Sequence, residues 1–296
     1  MAAAPPPDKP GGNTPSTLPD PGEIVLPDIG ESEGEGGGEG TETKPTKTPI
    51  AVNSSKLAQF INNYAGATEF YVEMQEFDYG KDGSVAQSME ERVARKGENC
   101  YVRMTGLDEN QKQRLIEILM LKNQSTWDQY LLLRSSKVAV NTGSTKEGDL
   151  SLSTLIVDKL PALMWSTKVT VGSTDYYAEV YNTPSFECTI CYTASGTPVY
   201  QFVRNLSDKQ LYSATLYKTI QAGLGTSKNL CALPSDFKTY SLHGKNKITD
   251  AEGNVFNVEF QFNSEGELTG FKVLDNTGND VTAKFKWLND LAEMRS

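Results

Sequence analysis

The first 53 residues limit what this chain can fold into, because they contain no Phe, Trp or Tyr and hold ten of its fourteen prolines. A run of Gly and Glu occupies residues 31–40. So little apolar surface cannot offset the entropy of ordering, and Pro-rich or Gly/Glu-rich sequence favours extended, self-repelling chain. We therefore predict a solvated tether over residues 1–53. The short apolar stretch at 24–29 is interpreted as part of that linker, with a docking patch as the alternative.

The negative charge of the chain is concentrated in this segment. Residues 1–50 contain nine Asp or Glu and three Lys or Arg, so they carry −6 of the total net charge of −10. This acidity argues against nucleic acid as a partner and against a polybasic contact with a membrane surface. Mean hydropathy is −0.45. The longest apolar run is broken at Glu117, well short of the roughly 20 apolar residues that a spanning helix needs.

The N-terminus shows neither the charged region nor the apolar region of a signal peptide, because Met1 is followed by Ala, Pro and Gly. We expect an exported protein from which a targeting segment has been removed. A cytoplasmic protein is the alternative.

The pattern after the tether predicts a helix followed by antiparallel strands. Ser54 or Ser55 can cap the helix, and Gly66 ends it. The apolar stripe of the helix is Leu57, Phe60, Ile61 and Tyr64. Residues 68–77 then alternate as a strand with one buried face, which consists of Phe70, Val72 and Met74. Further strands are predicted over 84–96 and 100–104.

The middle of the chain contains ambiguous segments. Residues 108–123 have helical spacing behind Asp108, but 114–121 also read as a strand. We predict a strand over 127–140, a loop over 141–149 and a short amphipathic helix within 150–163. A strand that turns near Gly172 covers 167–181, and a hairpin covers 185–203. Residues 206–222 are predicted as a helix that is closed by Gly223.

The C-terminal part has the strand spacing of an antiparallel meander. We predict four short strands, over 245–249, 255–262, 268–274 and 281–287. Turn-forming runs of Asp, Asn and Gly separate them.

Residues that could carry chemistry are few. His243 is the only histidine, and we interpret it as an ordinary loop residue. Cys188 and Cys191 have a CxxC spacing, but their neighbours favour a strand, in which residues i and i+3 point to opposite faces. We expect buried structural cysteines, with a disulfide that involves Cys100 or Cys231 as the alternative.

Three acidic turns weakly resemble calcium loops but lack the EF-hand pattern, so we interpret them as turns. They contain Asp78/Asp82, Asp250/Glu252 and Asp275/Asp280. The sequence predicts no metal site and no cofactor. The tyrosines lie mostly on predicted strands, where core packing is the expected role and an apolar groove is the alternative.

The order of these elements, with EFYVEM at 69–74, RVARKGENCYV at 92–102, DYYAEVY at 175–181 and LCALPSDFK at 230–238, resembles the lipoprotein-carrier-like (LolA-like) superfamily. This superfamily, which includes lipid-binding lipoproteins of Gram-positive bacteria, folds as an unclosed barrel of antiparallel strands covered by helices around an apolar cavity. The resemblance covers about residues 54–243 and implies no catalytic residues. An anchored member carries a lipidated Cys before its tether, and this chain shows the tether without that Cys.

Together these features predict an α+β fold: an antiparallel half-barrel covered by helices at 54–243, and a β-meander at 244–296. We expect a monomeric, non-enzymatic lipoprotein of the Gram-positive cell surface that binds a lipid or lipid-modified protein. Any membrane contact would be made through an anchor absent from this chain. The predicted ligand-binding residues are Leu57, Phe60, Ile61, Tyr64, Phe70, Val72 and Met74. The alternative is an extracellular interaction or adhesion module without a cavity.

Overall fold

The computed structural model describes residues 24–26, 48–64, 66–107, 113–146, 163–224, 229–244, 246–264 and 268–293. The first strands are β1 (Ile24–Val25), β2 (Glu69–Tyr79), β3 (Val85–Lys96), β4 (Asn99–Leu107), β5 (Gln113–Asn123), β6 (Thr126–Leu133), β7 (Val138–Thr145) and β8 (Leu163–Val171). The later strands are β9 (Thr174–Asn182), β10 (Phe186–Tyr192), β11 (Pro198–Asn205), β12 (Leu211–Ala222), β13 (Lys238–His243), β14 (Lys247–Asp250), β15 (Val255–Phe262) and β16 (Leu268–Leu274).

Helix is scarce in the described residues. They contain two short α-helices, α1 (Lys56–Tyr64) and α2 (Trp287–Glu293), and 3-10 turns at Val52–Ser54 and Thr282–Lys284. The predicted α+β class, with a half-barrel covered by helices, is therefore wrong: the protein is mostly antiparallel sheet. None of the helices in the described ranges is long and apolar enough to cross a membrane.

The predicted helix at 206–222 is the main reason for this error, because the structure forms β12 there. Both Leu216 and Tyr217 are buried, although they point to opposite faces of a strand. Burial on two faces removes the alternation of period two that identifies a strand, so the apolar spacing was misread as helical. The predicted helix within 150–163 lies outside the described residues, except for Leu163, which begins β8.

Two other segments differ from prediction. Residues 127–140 form the β6–β7 hairpin instead of one strand, and β7 continues into the predicted loop. Residues 281–287 form a 3-10 turn and the start of α2 instead of a strand. In contrast, β5 confirms the strand interpretation of 114–121, and β15 and β16 have the predicted bounds.

The chain forms two compact units. Unit 1 contains the described residues within 1–67, 72–90 and 151–220, and unit 2 contains those within 68–71, 91–150 and 221–296. The predicted domain boundary at residue 244 lies in the β13–β14 hairpin of unit 2.

In unit 1, β1, β8, β9, β10, β11 and β12 pair in that order, all antiparallel. One face of this sheet contributes a continuous core that includes Val169, Ala178, Cys191, Tyr200, Phe202, Ala214 and Leu216. The opposite face also buries large side chains, among them Tyr181, Ile190 and Tyr192. The sheet of unit 1 is therefore buried on both sides.

Helix α1 is attached to this second face through Glu179 of β9. Ser55 caps the helix as predicted, because its Oγ accepts a hydrogen bond of 2.9 Å from the Ala58 N–H. The Glu179 carboxylate accepts the N–H groups of Lys56 at 2.6 Å and Leu57 at 3.1 Å. Burial, together with the nearby Glu179 charge, raises the pKa of the Tyr181 hydroxyl, which donates to Glu179 Oε2 at 2.6 Å.

The described parts of the predicted tether are paired with unit 1. Ile24 and Val25 pair with Val171 and Thr170 of β8, and Ile24 and Leu26 pack against the core of the unit. Thr48 and Ser166 exchange two backbone hydrogen bonds of 2.9 and 2.7 Å. These contacts were not predicted. Residues 1–23 and 27–47 of the tether lie outside the described residues.

In unit 2, β4, β5, β6 and β7 pair antiparallel, and β7 then pairs with β13 in parallel. Strands β13, β14, β15 and β16 continue as an antiparallel meander. Helix α2 and the preceding 3-10 turn pack on the meander side, where Phe285, Trp287, Leu288 and Leu291 join a core with Val138, Val140, Ile248, Val258 and Val273.

Candidate functional site

The two faces of the unit 2 sheet are covered differently. One face places Tyr101, Leu119, Leu132 and Ala139 in a core beneath the segment at 229–237. We call this the covered face. Leu230, Cys231, Leu233 and Phe237 supply the apolar side chains of the covering segment. The covered face is therefore an ordinary sheet–loop core.

Among the described residues, helix covers the opposite face only in part. From β6 towards the meander, its side chains pack against α2, with Leu133 and Val138 in the same core as Leu288. Six apolar side chains on β4, β5 and β6 of this face are partly exposed, and one of them, Leu131, also packs against the core that contains Leu288. We call this set the apolar strand face, and it consists of Val102, Met104, Ile116, Ile118, Met120 and Leu131.

Strand register makes the apolar strand face continuous. Ile118 lies between Val102 of β4 and Leu131 of β6, and Met104 lies opposite Ile116. Directly opposed side chains in antiparallel strands have Cβ atoms about 4.5–5.5 Å apart, so these residues contact their neighbours across the strands. Two of the six are methionines, whose flexible thioethers adapt to irregular apolar surfaces.

The burial pattern of β5 is the reverse of the usual one. Glu117 is 5% exposed on the covered face, while Ile116 and Ile118 on either side of it are partly exposed. Arg134 donates from Nε to Glu117 Oε2 at 2.7 Å, and Arg103 Nε lies 3.5 Å from Oε1. These cations compensate the buried carboxylate, since an unpaired buried charge would be strongly unfavourable.

The Glu117 group also affects a neighbouring tyrosine. Burial, and secondarily the Glu117 charge, raises the pKa of Tyr101 to about 12. Tyr101 therefore stays neutral at physiological pH. On the covered face, Glu117 is ion-paired with Arg103 and Arg134 beneath the covering segment, so the apolar strand face is the better candidate for an external contact.

The predicted ligand-binding residues occupy different environments. Leu57 and Phe60 of α1 are buried, and Ile61 and Tyr64 are partly buried. The Phe60 and Tyr64 ring centroids lie 4.6 Å apart. In β2, Phe70, Val72 and Met74 are all buried. Their role in ligand binding stays a prediction.

Sequence reasoning did not identify the apolar strand face. The available signal was the alternation of Ile116, Ile118 and Met120 with Glu117, Leu119 and Leu121. A strand with a central Glu is normally read with that Glu towards solvent. The orientation is reversed here because Glu117 finds Arg103 and Arg134, which come from β4 and from the turn after β6.

The other candidate residues have simple environments. His243 is the exposed last residue of β13. Cys188 and Cys191 lie on β10, as predicted, and neither they nor Cys100 and Cys231 form a disulfide. Asp275 accepts hydrogen bonds from its own turn, chiefly from Thr277, and these lower its pKa to about 2. No group of three or more His, Cys, Asp or Glu in the described residues is arranged to hold a metal ion.

Comparison with known proteins gives a distant structural similarity. No protein-family model matches the chain, and no curated protein matches it either. Among solved structures, the chain is similar to MucB, described as "Crystal structure of MucB in complex with MucA(peri)". The similarity has a TM-score of 0.31 and 11% sequence identity, and it covers 69% of this chain and 78% of MucB. Similarity at this level supports no conclusion about what this chain binds.

Proposed function

We propose that this protein is a non-enzymatic binding protein that holds an apolar ligand, such as a lipid acyl chain, on the apolar strand face of unit 2. One observation carries the proposal: β5 buries Glu117 and leaves Ile116, Ile118 and Met120 partly exposed. Both faces of β5 carry apolar side chains, and the ion pairs of Glu117 with Arg103 and Arg134 fix Glu117 on the covered face, so Ile116, Ile118 and Met120 lie on the other one. Partly exposed, contiguous apolar side chains are typical of surfaces that bind a ligand or partner.

The chemistry of the apolar strand face fits an apolar ligand. Its six side chains carry no group that ionises and no strong hydrogen-bond donor or acceptor. Burial of apolar ligand surface there would contribute about 25 cal/mol per Å². Surface tethering and a Gram-positive source remain part of this proposal as predictions from sequence.

Uptake of dansyl-labelled undecanoic acid tests the proposal. We expect dansyl fluorescence to rise on addition of the wild-type protein. Ile118→Glu should weaken uptake about tenfold or more, since it places a charge in contact with the ligand. Leu115→Glu is the matched control, because Leu115 lies on the same strand but on the other face and is already 36% exposed. It should leave uptake unchanged.

Absence of uptake by the wild-type protein, or equal uptake by both variants, would contradict the proposal. A protein–protein interface would then be the better explanation of the apolar strand face. Mass spectrometry of an organic extract from protein purified from its native host provides the second measurement, with a co-purifying lipid as the expected result.

A further inference from the structure

Unit 2 contains a second candidate site, which is positively charged where the apolar strand face is uncharged. A cavity of about 380 Å³ is lined by four lysines, one aspartate, two aromatic residues, Ser136 and Val138. The lysines are Lys137, Lys238, Lys284 and Lys286. They come from the β6–β7 turn, the start of β13 and the segment that leads into α2. The fold therefore brings together positive charges that are distant in sequence.

These charges are only partly compensated. Lys137 Nζ lies 2.9 Å from Asp236 Oδ2, which is the acidic group of the cavity lining. In the part of the chain that the structure describes, Lys238, Lys284 and Lys286 form no ion pair. A chain with a net charge of −10 thus places three ammonium groups that have no ion pair among the described residues around one small cavity.

An aromatic wall adds an independent observation. Tyr240 and Trp287 both line the cavity, with ring centroids 5.0 Å apart in a stacked arrangement. Trp287 is 3% exposed, and together with Tyr240 it gives the cavity an apolar side next to the lysines.

We infer that this cavity binds a phosphate or sulfate group. Lysine ammonium groups act as point charges towards such oxyanions, which carry enough charge to engage several of them at once. The volume falls in the range of sites for small ligands, about 300–1,000 Å³. The same chemistry is offered by free phosphate or sulfate and by an anionic lipid headgroup, and the experiment separates these sources.

Calorimetric titration of the full chain provides the test, with inorganic phosphate, sodium sulfate and phosphatidylglycerol vesicles as separate probes. Lys284→Gln combined with Lys286→Gln should weaken binding about tenfold or more, and added salt should weaken wild-type binding. Lys137→Gly removes a further charge without backbone strain, because Lys137 has a φ of 52°, which glycine adopts readily. It should also weaken binding.

Lys209→Gly is the matched control, since Lys209 is exposed in unit 1 and has a φ of 61°. It should bind like the wild type. Lysine-dependent binding of the free anions identifies a small ligand, and lysine-dependent binding of vesicles alone identifies a lipid headgroup. Either result supports the inference. It is overturned if the wild type binds none of the three probes at millimolar concentration, or if the lysine variants bind as the wild type does.

Discussion

Burial lowers the reactivity of three cysteine thiols by raising their pKa. None of the four cysteines forms a disulfide. Burial raises the pKa of Cys188 and of Cys231 to about 12, and it also raises the pKa of Cys191. The thiolate is the reactive form of cysteine, so a raised pKa makes these residues chemically inert at neutral pH.

Alkylation with iodoacetamide should therefore fail in the folded protein. At pH 8 the native protein should show almost no labelling of Cys188, Cys191 and Cys231, because their thiolate fractions are far below that of a free cysteine. Labelling should become complete in denaturant, which is the control. Peptide mass spectrometry measures the extent at each site. Native labelling at the rate of a free thiol would show that the site is open to solvent and its pKa unshifted.

The structural roles of single residues differ in how well they can be predicted from sequence. The Ser55 cap follows from a local rule, and the structure confirms it. The burial of Glu117 does not follow from any local rule. Its partners Arg103 and Arg134 are supplied by other parts of the sheet, so the ion-paired group exists only once strand register is set.

Secondary-structure elements were predictable where alternation or turn residues marked them. The β2 strand follows from alternation, and the β10–β11 hairpin follows from its turn residues, although both faces of β10 are buried. The β12 strand was missed because both of its faces are buried in the middle of the strand. The parallel pairing of β7 with β13 joins distant segments, so no local signal marks it.

Helix α1 is an element that depends on one distant residue. It has nine residues, fewer than an isolated helix needs for stability in water. Its first N–H groups donate to Glu179, which is fully buried and also accepts the Tyr177 and Tyr181 hydroxyls. The carboxylate thus satisfies both the helix end and the tyrosines of β9.

Glu179→Gln should consequently destabilise the protein. An amide group offers one acceptor oxygen in place of two, so at least one buried donor loses its partner. Hydrogen bonds to charged groups contribute about 1.5–3 kcal/mol, and we expect a loss of that size in the free energy of unfolding. Denaturant titration measures it. Glu259→Gln is the control, because Glu259 is exposed on β15, and its change should stay within about 0.5 kcal/mol. Equal stability of the two variants would show that Glu179 does not hold α1.

Which faces of a sheet remain exposed depends on the packing of distant segments, so this exposure could not be predicted from local sequence. Ile118 of the apolar strand face and Leu119 of the covered face are both apolar residues of β5. Leu119 is covered by a segment more than a hundred residues later in the chain, whereas α2, the helix of unit 2 among the described residues, packs on the part of the other face nearer the meander. Exposure of Ile118 is thus a consequence of where distant segments pack.

The N-terminal segment affects both the net charge and the stability of the whole chain. It carries −6 of the net charge of −10, yet Ile24 and Leu26 pack on the core of unit 1. Removal of the segment therefore has two opposing effects. Lower net charge reduces electrostatic repulsion, while loss of apolar contacts and of the β1–β8 pairing exposes the edge of the sheet.

We expect the apolar contacts to dominate when residues 1–47 are deleted. Partial burial of Ile24 and Leu26 should contribute about 1–3 kcal/mol to the free energy of unfolding. The deletion should therefore lower Tm by several degrees, at about 2–4 °C per kcal/mol for a chain of this size. Deletion of residues 1–22 is the control: it removes much of the Pro-rich start but keeps the paired segment, and Tm should stay close to that of the full chain. Ile24→Asp together with Leu26→Asp in the full chain should reproduce the loss without shortening the tail. If Tm is unchanged in both deletions and in the double variant, the segment contributes nothing to the folded unit, and the prediction of a fully solvated tether holds.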